Sequence, residues 1–450
     1  VKVAKFGGSS LASAAQIRRV LEIVRADKRR KFIIVSAPGK RTSADTKVTD
    51  ALIAYYKSCK AHDEQSIKRS QQWIIQRFKT IYDELGLTSD ILSTITQNII
   101  GLATLSQSNP FTYDTFLAAG ENNNALLIAD YFSSEGIHSR YIHPSDAGIF
   151  VSSDPGNARL LPEANEHIKY LNELDEVLII PGFFGVTNEN EVCTFSRGGS
   201  DITGSIIAAG VKAELYENFT DVDGIFAAHP GIVKAPVHVK ELTYREMREL
   251  AYSGFSVLHD EALLPVFRAH VPLVIKNTNN PTHPGTKIVI SRETKGAPVV
   301  GIASSSGFSS LYISKYLMNR EIGFGRKVLS VLEKLAIRFE HMPTGIDDMS
   351  IIIRSRYLTP PVSKALIANL TESLHPDEAY INRDFSIITL VGEDMKEHIG
   401  VTAKATAALS KKGINIAMLS QGSSEVSVMF IVKEKDEREA LRAIYSAFFD

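Results

Sequence analysis

Four short stretches of this sequence carry residues that can do chemistry together. AKFGGSSL (4–11) sets Lys5 just ahead of Gly7 and Gly8. Glycines let a backbone approach an anion closely, a following helix offers amide protons and the positive end of its dipole, and a lysine ammonium neutralises charge on a phosphoryl group. The residue order fits neither G-x-x-x-x-G-K-[ST], because the lysine comes first, nor G-x-G-x-x-G. On these residues alone, a tight turn after a strand and a phosphate cradle are equally open. FSRGGSDITGSIIAAG (195–210) repeats the device, with Gly-Gly-Ser again opening an apolar helical stretch. Here Arg197 offers a planar fork suited to a carboxylate, and Asp201 can orient Lys5 or hold a metal. The plainer alternative is an Arg-Asp pair capping a helix.

The third stretch, FTDVDGIFAAHPG (219–231), places Asp221 and Asp223 before Gly224. Its spacing misses D-x-[DN]-x-[DN]-G, and no glutamate follows at the calcium-loop distance. A turn at the carboxyl edge of a sheet, where nucleotides sit in α/β folds, fits better. The fourth, LAAGENNNALLIADYF (117–132), puts Glu121 after a glycine, read as a helix start. That carboxylate can pair with a substrate ammonium, or simply be favoured near the helix dipole.

The elements that must hold these residues follow from periodicity. VKVAKF is short and partly alternating, and in LASAAQIRRVLEIVRAD the residues Ile17, Val20, Leu21 and Val24 recur at helical spacing. Strand, glycine turn and helix are predicted in that order, with Ser9 or Ser10 as the N-cap. Further strands are predicted at KFIIVSAPGK, EVLIIPGFFG, AELYENFTDVDG and PLVIKNT, with helical stretches between them. Residues 1–295 therefore read as one α/β domain with a mainly parallel sheet. RETKGAPVVGIASSSG (292–307) shifts to Gly, Ser and Ala and reads as a linker or an entry into a second domain.

Composition narrows the function class. A chain of 450 residues exceeds one core, so two or three domains are expected. With 50 basic and 51 acidic residues the net charge is −1, which removes a general nucleic-acid footprint. Cys59 and Cys193 are too few for a disulfide framework and lack metal-ligand spacing, which points to a reducing cytoplasm. The absence of a long uncharged apolar run or an apolar signal core sets membrane insertion and secretion aside.

A repeat fills the C-terminal third. Residues 321–353 align without a gap on 398–430 at a constant offset of 77. Ile322 meets Ile399, Gly323 meets Gly400, Lys334 meets Lys411, Ile337 meets Ile414, Gly345 meets Gly422 and Ser350 meets Ser427. Each half reads glycine turn, helix, strand, hairpin, strand, with a strand before it (LYIS or FSIITLVG) and a helix after it. This is a βαββαβ plan. Two such units bury themselves against each other, as a dimerisation module or as a pair of small-ligand sensors.

In sequence order, KFGGSS (5–10), KVTDAL (47–52), GE (120–121), GFFG (182–185), SRGGSD (196–201) and TDVDGI (220–225) resemble the aspartate kinases of the amino acid kinase family. GINIAMLSQGSSEVSVMF (413–430) resembles their second ACT domain. The resemblance implies an αβα sandwich catalytic domain over 1–295, a first ACT domain over 296–383 and a second over 384–450. It implies MgATP-dependent phosphorylation of the L-aspartate side-chain carboxylate to 4-phospho-L-aspartate, the first step toward lysine, threonine and methionine. Lys5, Phe6, Gly7, Gly8 and Ser9 would meet the ATP phosphates, with Thr220, Asp221, Phe226, Ser256 and Val257 elsewhere along the nucleotide. Arg197 would grip the α-carboxylate of aspartate and Glu121 its α-ammonium, with Thr49 and Ser200 as further contacts and Asp201 orienting Lys5. The β-carboxylate is already ionised at neutral pH, so no general base is needed. Mg2+ would arrive on the nucleotide, without a metal site of the protein's own.

In the tail, the resemblance implies an inhibitor site for lysine or threonine at Met318, Gly323, Phe324, Gly325, Phe339, Glu340 and Asp347, and a homodimer paired through the ACT domains. Where many relatives read GVYTADPR this chain reads GIFAAHPG, and where many read FGAKVLHP it has SGFSVLHD. Phe226, His229, Gly231 and Ser256 thus replace a tyrosine, an aspartate, an arginine and a lysine, which implies a rearranged ATP pocket. Two rivals stand beside this reading. A family kinase acting on glutamate, acetylglutamate or a nucleotide is opposed by KVTDAL and the doubled tail. A non-catalytic amino acid sensor is opposed by the retention of Lys5, Arg197, Glu121 and Asp201.

Overall fold

Lys2–Phe6 is a central strand because its residues are buried on both faces: Val3 and Lys5 point one way, Ala4 and Phe6 the other. It pairs in parallel with Arg30–Val35 on one side and Leu215–Thr220 on the other. The computed structural model describes residues 1–450 apart from Arg197, Ser256, His259, Thr294, Lys295, Ser423 and Glu425. Among these, the eight-stranded sheet runs Glu241–Thr243, Thr286–Val289, Leu273–Asn277, Leu215–Thr220, Lys2–Phe6, Arg30–Val35, Val177–Pro181, Ser139–Tyr141. Only Leu273–Asn277 against Thr286–Val289 is antiparallel in this sheet. Each of the four strands expected after the first lies within it. On one face Phe6 and Phe219 stack at 4.8 Å and join Ile17, Leu52, Phe78 and Phe132 in a single core.

The helix Ala14–Arg25 begins later than expected. Ser9 and Ser10 lie in a 3-10 turn, Gly8–Leu11, and Ser13 is the N-cap, accepting the Gln16 amide at 3.4 Å. The extra turn intervenes because the Gly7 carbonyl takes the Ser10 amide at 3.0 Å.

Packing divides the chain into two compact units. The first comprises Val1–Ile225, Lys240–Tyr244 and Ser256–Arg292; the second comprises Phe226–Val239, Arg245–Phe255 and Glu293–Asp450. A division at 295 therefore differs from the packing: two segments from within 1–295 pack with the C-terminal unit. Their polar groups find partners there. The Val237 amide donates to the Tyr445 hydroxyl at 2.9 Å, Arg438 and Arg442 donate to the carbonyls of Gly231 and Ile232 at 2.6 and 2.9 Å, and the Glu246 carboxylate accepts the Glu393 amide at 3.0 Å.

The sheet of the second unit runs Asp348–Arg354, Gly301–Ser314, Glu378–Val391, Ser427–Lys433, Met418–Gln421, antiparallel throughout. The helices Phe324–Lys334 and Val401–Lys411 occupy equivalent positions of the repeat, and each follows a glycine in the left-handed region, Gly323 at φ 77° and Gly400 at φ 91°. Of the two readings of the Gly/Ser/Ala-rich stretch, entry into a second domain holds and linker does not: Gly301–Ser305 pairs with Ile387–Val391 and closes the sheet of the second repeat, although it precedes both. Backbone pairing, which is indifferent to small side chains, decides its state. The hairpin of the first repeat is reduced to isolated bridges, His341 to Ile352 and Thr344 to Met349, where the second has the strand Met418–Gln421. Pro343 lies between those bridges and has no amide to give a ladder. No helix among the described residues is long and apolar enough to cross a membrane.

Candidate active site

A cavity of about 230 Å3 opens at the carboxyl ends of Lys2–Phe6, Arg30–Val35 and Val177–Pro181. One wall is the glycine turn after the first strand. Gly7 donates to the Phe219 carbonyl at 3.2 Å, and Gly8 accepts from the Gly39 amide at 2.9 Å. The two turns interlock so closely that a Cβ on Gly39 would lie 2.5 Å from the Gly8 carbonyl carbon. Arg77, buried, ties this junction down: it donates to the carbonyls of Gly39 and Ala12 at 2.7 and 2.9 Å and to Asp45 at 2.8 Å. Arg41 foremost, with Arg77, holds the Asp45 carboxyl far below its usual range. Gly39→Ala must push the glycine turn out of place, and displacements of this size at a reaction centre cost ten- to a hundredfold. We expect Gly39→Ala to lower turnover by about tenfold or more, read from initial rates at saturating substrates.

The second wall is the start of the helix Gly199–Gly210, entered through Gly198 at φ 76°. Its paired glycines serve close approach. A Cβ on Gly199 would meet the Phe183 ring at 2.4 Å, and one on Gly182 would meet the Ser200 Cβ at 2.7 Å. Phe183 itself holds a left-handed φ of 80°, fixed by donating its amide to Thr203 Oγ1 at 3.0 Å and accepting the Phe195 amide at 2.8 Å. Asp201, in the first turn, bonds Lys5 Nζ across the cavity at 2.6 Å. Its carbonyl accepts from the Tyr216 hydroxyl at 3.1 Å, within reach because Gly204 leaves room: a Cβ there would lie 2.3 Å from that oxygen. Burial keeps the Tyr216 phenol protonated and a donor.

Glu121 closes the site from a third element. It lies in the middle of the helix Thr112–Ser134, not at its start. Gly120 is there for contact, since a Cβ on it would meet Ala37 Cβ at 2.8 Å. The carboxyl is buried, and Oε2 has no hydrogen-bond partner among the described residues. Burial pushes its pKa up to about 7, opposed by the Ala37 amide. Thr49, in the first turn of Val48–Lys60, and Ser36 line the same space. The cavity thus has a cation and glycine amides at one side and a buried acidic group seeking a donor at the other. A small molecule carrying both anionic and ammonium groups suits it.

Residues 1–277 match the amino acid kinase family and residues 388–448 match the ACT domain. The chain is 50% identical over 450 residues to Aspartokinase 3 of Bacillus subtilis (strain 168), covering 100% of this chain and 99% of that one. The chain belongs to the aspartate kinase branch of the amino acid kinase family. The crystal structure of Clostridium acetobutylicum aspartate kinase matches it at a TM-score of 0.88 and 38% identity, with 100% of both chains covered. Escherichia coli aspartokinase III, crystallised with aspartate and ADP, shares the fold at a TM-score of 0.75 and 22% identity, again over 100% of both chains. The chain is accordingly an aspartate kinase.

Of the residues expected at an aspartate kinase site, the structure brings Lys5, Gly7, Gly8, Thr49, Glu121, Ser200 and Asp201 around this one cavity. Arg197 and Ser256 lie outside the described residues. The Phe6 side chain points to the opposite face of the sheet, and Ser9 is exposed. Thr220 and Asp221, joined through their side chains at 3.2 Å, and Val257 do not line the cavity. Phe226 belongs to the second unit, its ring set edge-on against His238 at 5.6 Å. Ser36 and Phe183, the latter within the GFFG motif, also line the cavity, and neither was given a role from the sequence. A signal existed for both: each follows a predicted strand whose end meets the glycine turns.

In the regulatory unit of this aspartate kinase, Met318 and Phe324 are packed in the core, Gly323 and Gly325 frame the helix start, and Phe339 is exposed. The Glu340 carboxylate is engaged by Arg354 at 2.8 Å and by the Tyr252 hydroxyl. Asp347 Oδ1 accepts the Leu317 amide at 2.9 Å. Glu321, not foreseen, sits between Lys315 and Lys327 at 2.7 and 2.6 Å, which hold it well below the usual carboxylate range.

Proposed function

We propose that the cavity transfers the γ-phosphoryl group of ATP to the aspartate β-carboxylate, with the roles divided between its walls. The observation that carries this reading is the convergence of the Lys5–Asp201 pair, two glycine turns and Glu121, whose Oε2 has no partner among the described residues, on one space. The amides of Gly7 and Gly8 receive phosphate oxygens, and the Lys5 ammonium stabilises charge on the phosphoryl group in flight. Glu121 takes the aspartate ammonium, and Thr49 and Ser200 give further polar contacts. Arg197 grips the α-carboxylate. These contacts leave the β-carboxylate facing the γ-phosphorus. Its oxygen forms the new O–P bond as the bond to the ADP oxygen breaks, and the electron pair leaves with ADP. The β-carboxylate is ionised before it arrives, so no proton has to be removed. Mg2+ carried by the nucleotide would supply charge neutralisation. Ser9, Thr220, Asp221, Ser256 and Val257 complete the nucleotide side in this reading.

The catalytic part is 1–295 and the regulatory part comprises ACT units at 296–383 and 384–450, the second borrowing the strand Gly301–Ser305. Lysine or threonine binds near Met318, Gly323, Phe324, Gly325, Phe339, Glu340 and Asp347. A second copy covers the ACT face, whose Ile322 and its repeat counterpart Ile399 stand 97% and 106% exposed. Two buried free cysteines suit a cytoplasmic enzyme.

Purified protein given MgATP and L-aspartate, with hydroxylamine trapping the acyl phosphate, should form a hydroxamate that saturates with aspartate. Added lysine or threonine should depress it. Hydroxamate formed with glutamate or acetylglutamate in place of aspartate would move the substrate assignment, and none with any acceptor would end the catalytic reading.

A further inference from the structure

Asn218 is a polar side chain at 2% exposure in the middle of a mainly parallel sheet, where strands buried on both faces are usually apolar; its neighbour Glu217, equally buried, is paired with Arg30. Its ladder partners are Lys5 on one side and Ile275 on the other. It therefore shares a face with Lys5 and, two residues along its own strand, with Tyr216. Its Nδ2 donates to Asp201 Oδ1 at 2.9 Å, the same oxygen that Lys5 Nζ meets at 2.6 Å. With the Tyr216 hydroxyl on the Asp201 carbonyl, one strand face holds Asp201 at both its backbone and its carboxylate.

We propose that Asn218 is a positioning residue: it holds the Asp201 carboxylate in place so that Lys5 can lend its ammonium to the transferring phosphoryl group. The reasoning is about what happens to Asp201 when Lys5 turns to the phosphate. A buried carboxylate that loses its ion-pair partner is left uncompensated, and the cost of that would pull the ammonium back. A neutral donor fixed on the same oxygen stays behind. It keeps the carboxylate hydrogen-bonded throughout and weakens the hold of Asp201 on Lys5 by sharing the acceptor.

The inference rests on Lys5 acting at the phosphoryl group, and the test separates the two. Asn218→Leu, close in shape and without a donor, should lower kcat by about tenfold or more, the usual weight of a hydrogen bond to a buried charge. The KM for aspartate should stay within about twofold, since Asn218 acts through Asp201 and not on the substrate. In an Asp201→Ala background the same substitution should have no further effect, because nothing remains to be held. If Asn218→Leu has no cooperative thermal transition, Asn218→Asp, which keeps the shape and turns the donor into an acceptor, is read by the same criteria. An unchanged kcat, a raised aspartate KM with kcat intact, or the same loss repeated in the Asp201→Ala background would each overturn the proposal. Lys5→Ala is measured alongside. Retained turnover there removes the reading beneath, whereas slow Lys5→Ala with normal Asn218→Leu removes only the role of Asn218.

Discussion

Lys5→Ala is expected to slow turnover by about a thousandfold while leaving the fold intact, at the upper end of what one preorganised donor to developing charge contributes. The size of the effect follows from where the ammonium is held. Lys5 is 8% exposed and pinned by Asp201 at 2.6 Å, so its charge acts in a site with little water to screen it. Phosphoryl transfer has little covalent work for a protein to do, which leaves positioning and charge as the main levers. Single-turnover rates at saturating MgATP and aspartate give the comparison directly. Lys5→Arg restores the charge but not the compact ammonium, and should recover only a minor part. A variant within a few fold of wild type would take Lys5 out of the reaction.

Glu121→Gln should raise the KM for aspartate by about a hundredfold, because truncating one partner of a buried charge pair commonly costs two decades or more. The wild-type enzyme should show the same dependence through pH. Burial sets the Glu121 pKa at about 7 in the free enzyme, so below pH 7 the carboxyl is neutral and cannot pair with an ammonium. Aspartate KM should then rise by about tenfold per unit of acidification, and Glu121→Gln should lack this slope. Stability moves the other way. The folded pKa is raised above the ordinary value of 4.5, so the folded state holds the proton more tightly, and stability falls as pH climbs from 4.5 through 7. At pH 8 that loss amounts to about 3 kcal/mol, and Glu121→Gln does not suffer it. In the absence of aspartate the variant should melt above wild type at pH 8. Equal melting temperatures there, or an unchanged KM, would contradict the assignment of a buried, ionised Glu121 to the ammonium.

How far the sequence could be read depended on whether partners were near one another along the chain. Lys5 with its glycines and Asp201 with its own were legible because each chemical group sits inside a single turn whose residue types are restricted. Glu121 was recognised as a site residue but placed wrongly in its helix. Gly120 looked like a start, whereas its purpose is contact with Ala37, a residue on a different element. Asn218 gave no signal of its own, and Ser36 and Phe183 gave only their place at strand ends, since the sheet order is what brings them to Lys5 and Asp201. Ser13 took the N-cap from Ser9 and Ser10 because a 3-10 turn intervenes, which no propensity distinguishes from a helix start. Composition left the stretch Gly301–Ser305 open between linker and domain entry, because its state as a strand is set by Ile387–Val391 far downstream.

That strand also fixes an order of events during synthesis. Gly301–Ser305 leaves the ribosome before the whole first repeat, yet its ladder partner Ile387–Val391 is made only after that repeat is complete. The two regulatory halves cannot be finished in the order in which they are written. The earlier half can collapse on its own helices while the strand ahead of it waits with open edges, exposed to any other extended chain nearby. The nested design thus ties the whole regulatory part into one late-closing structure, whose completion waits on Ile387–Val391.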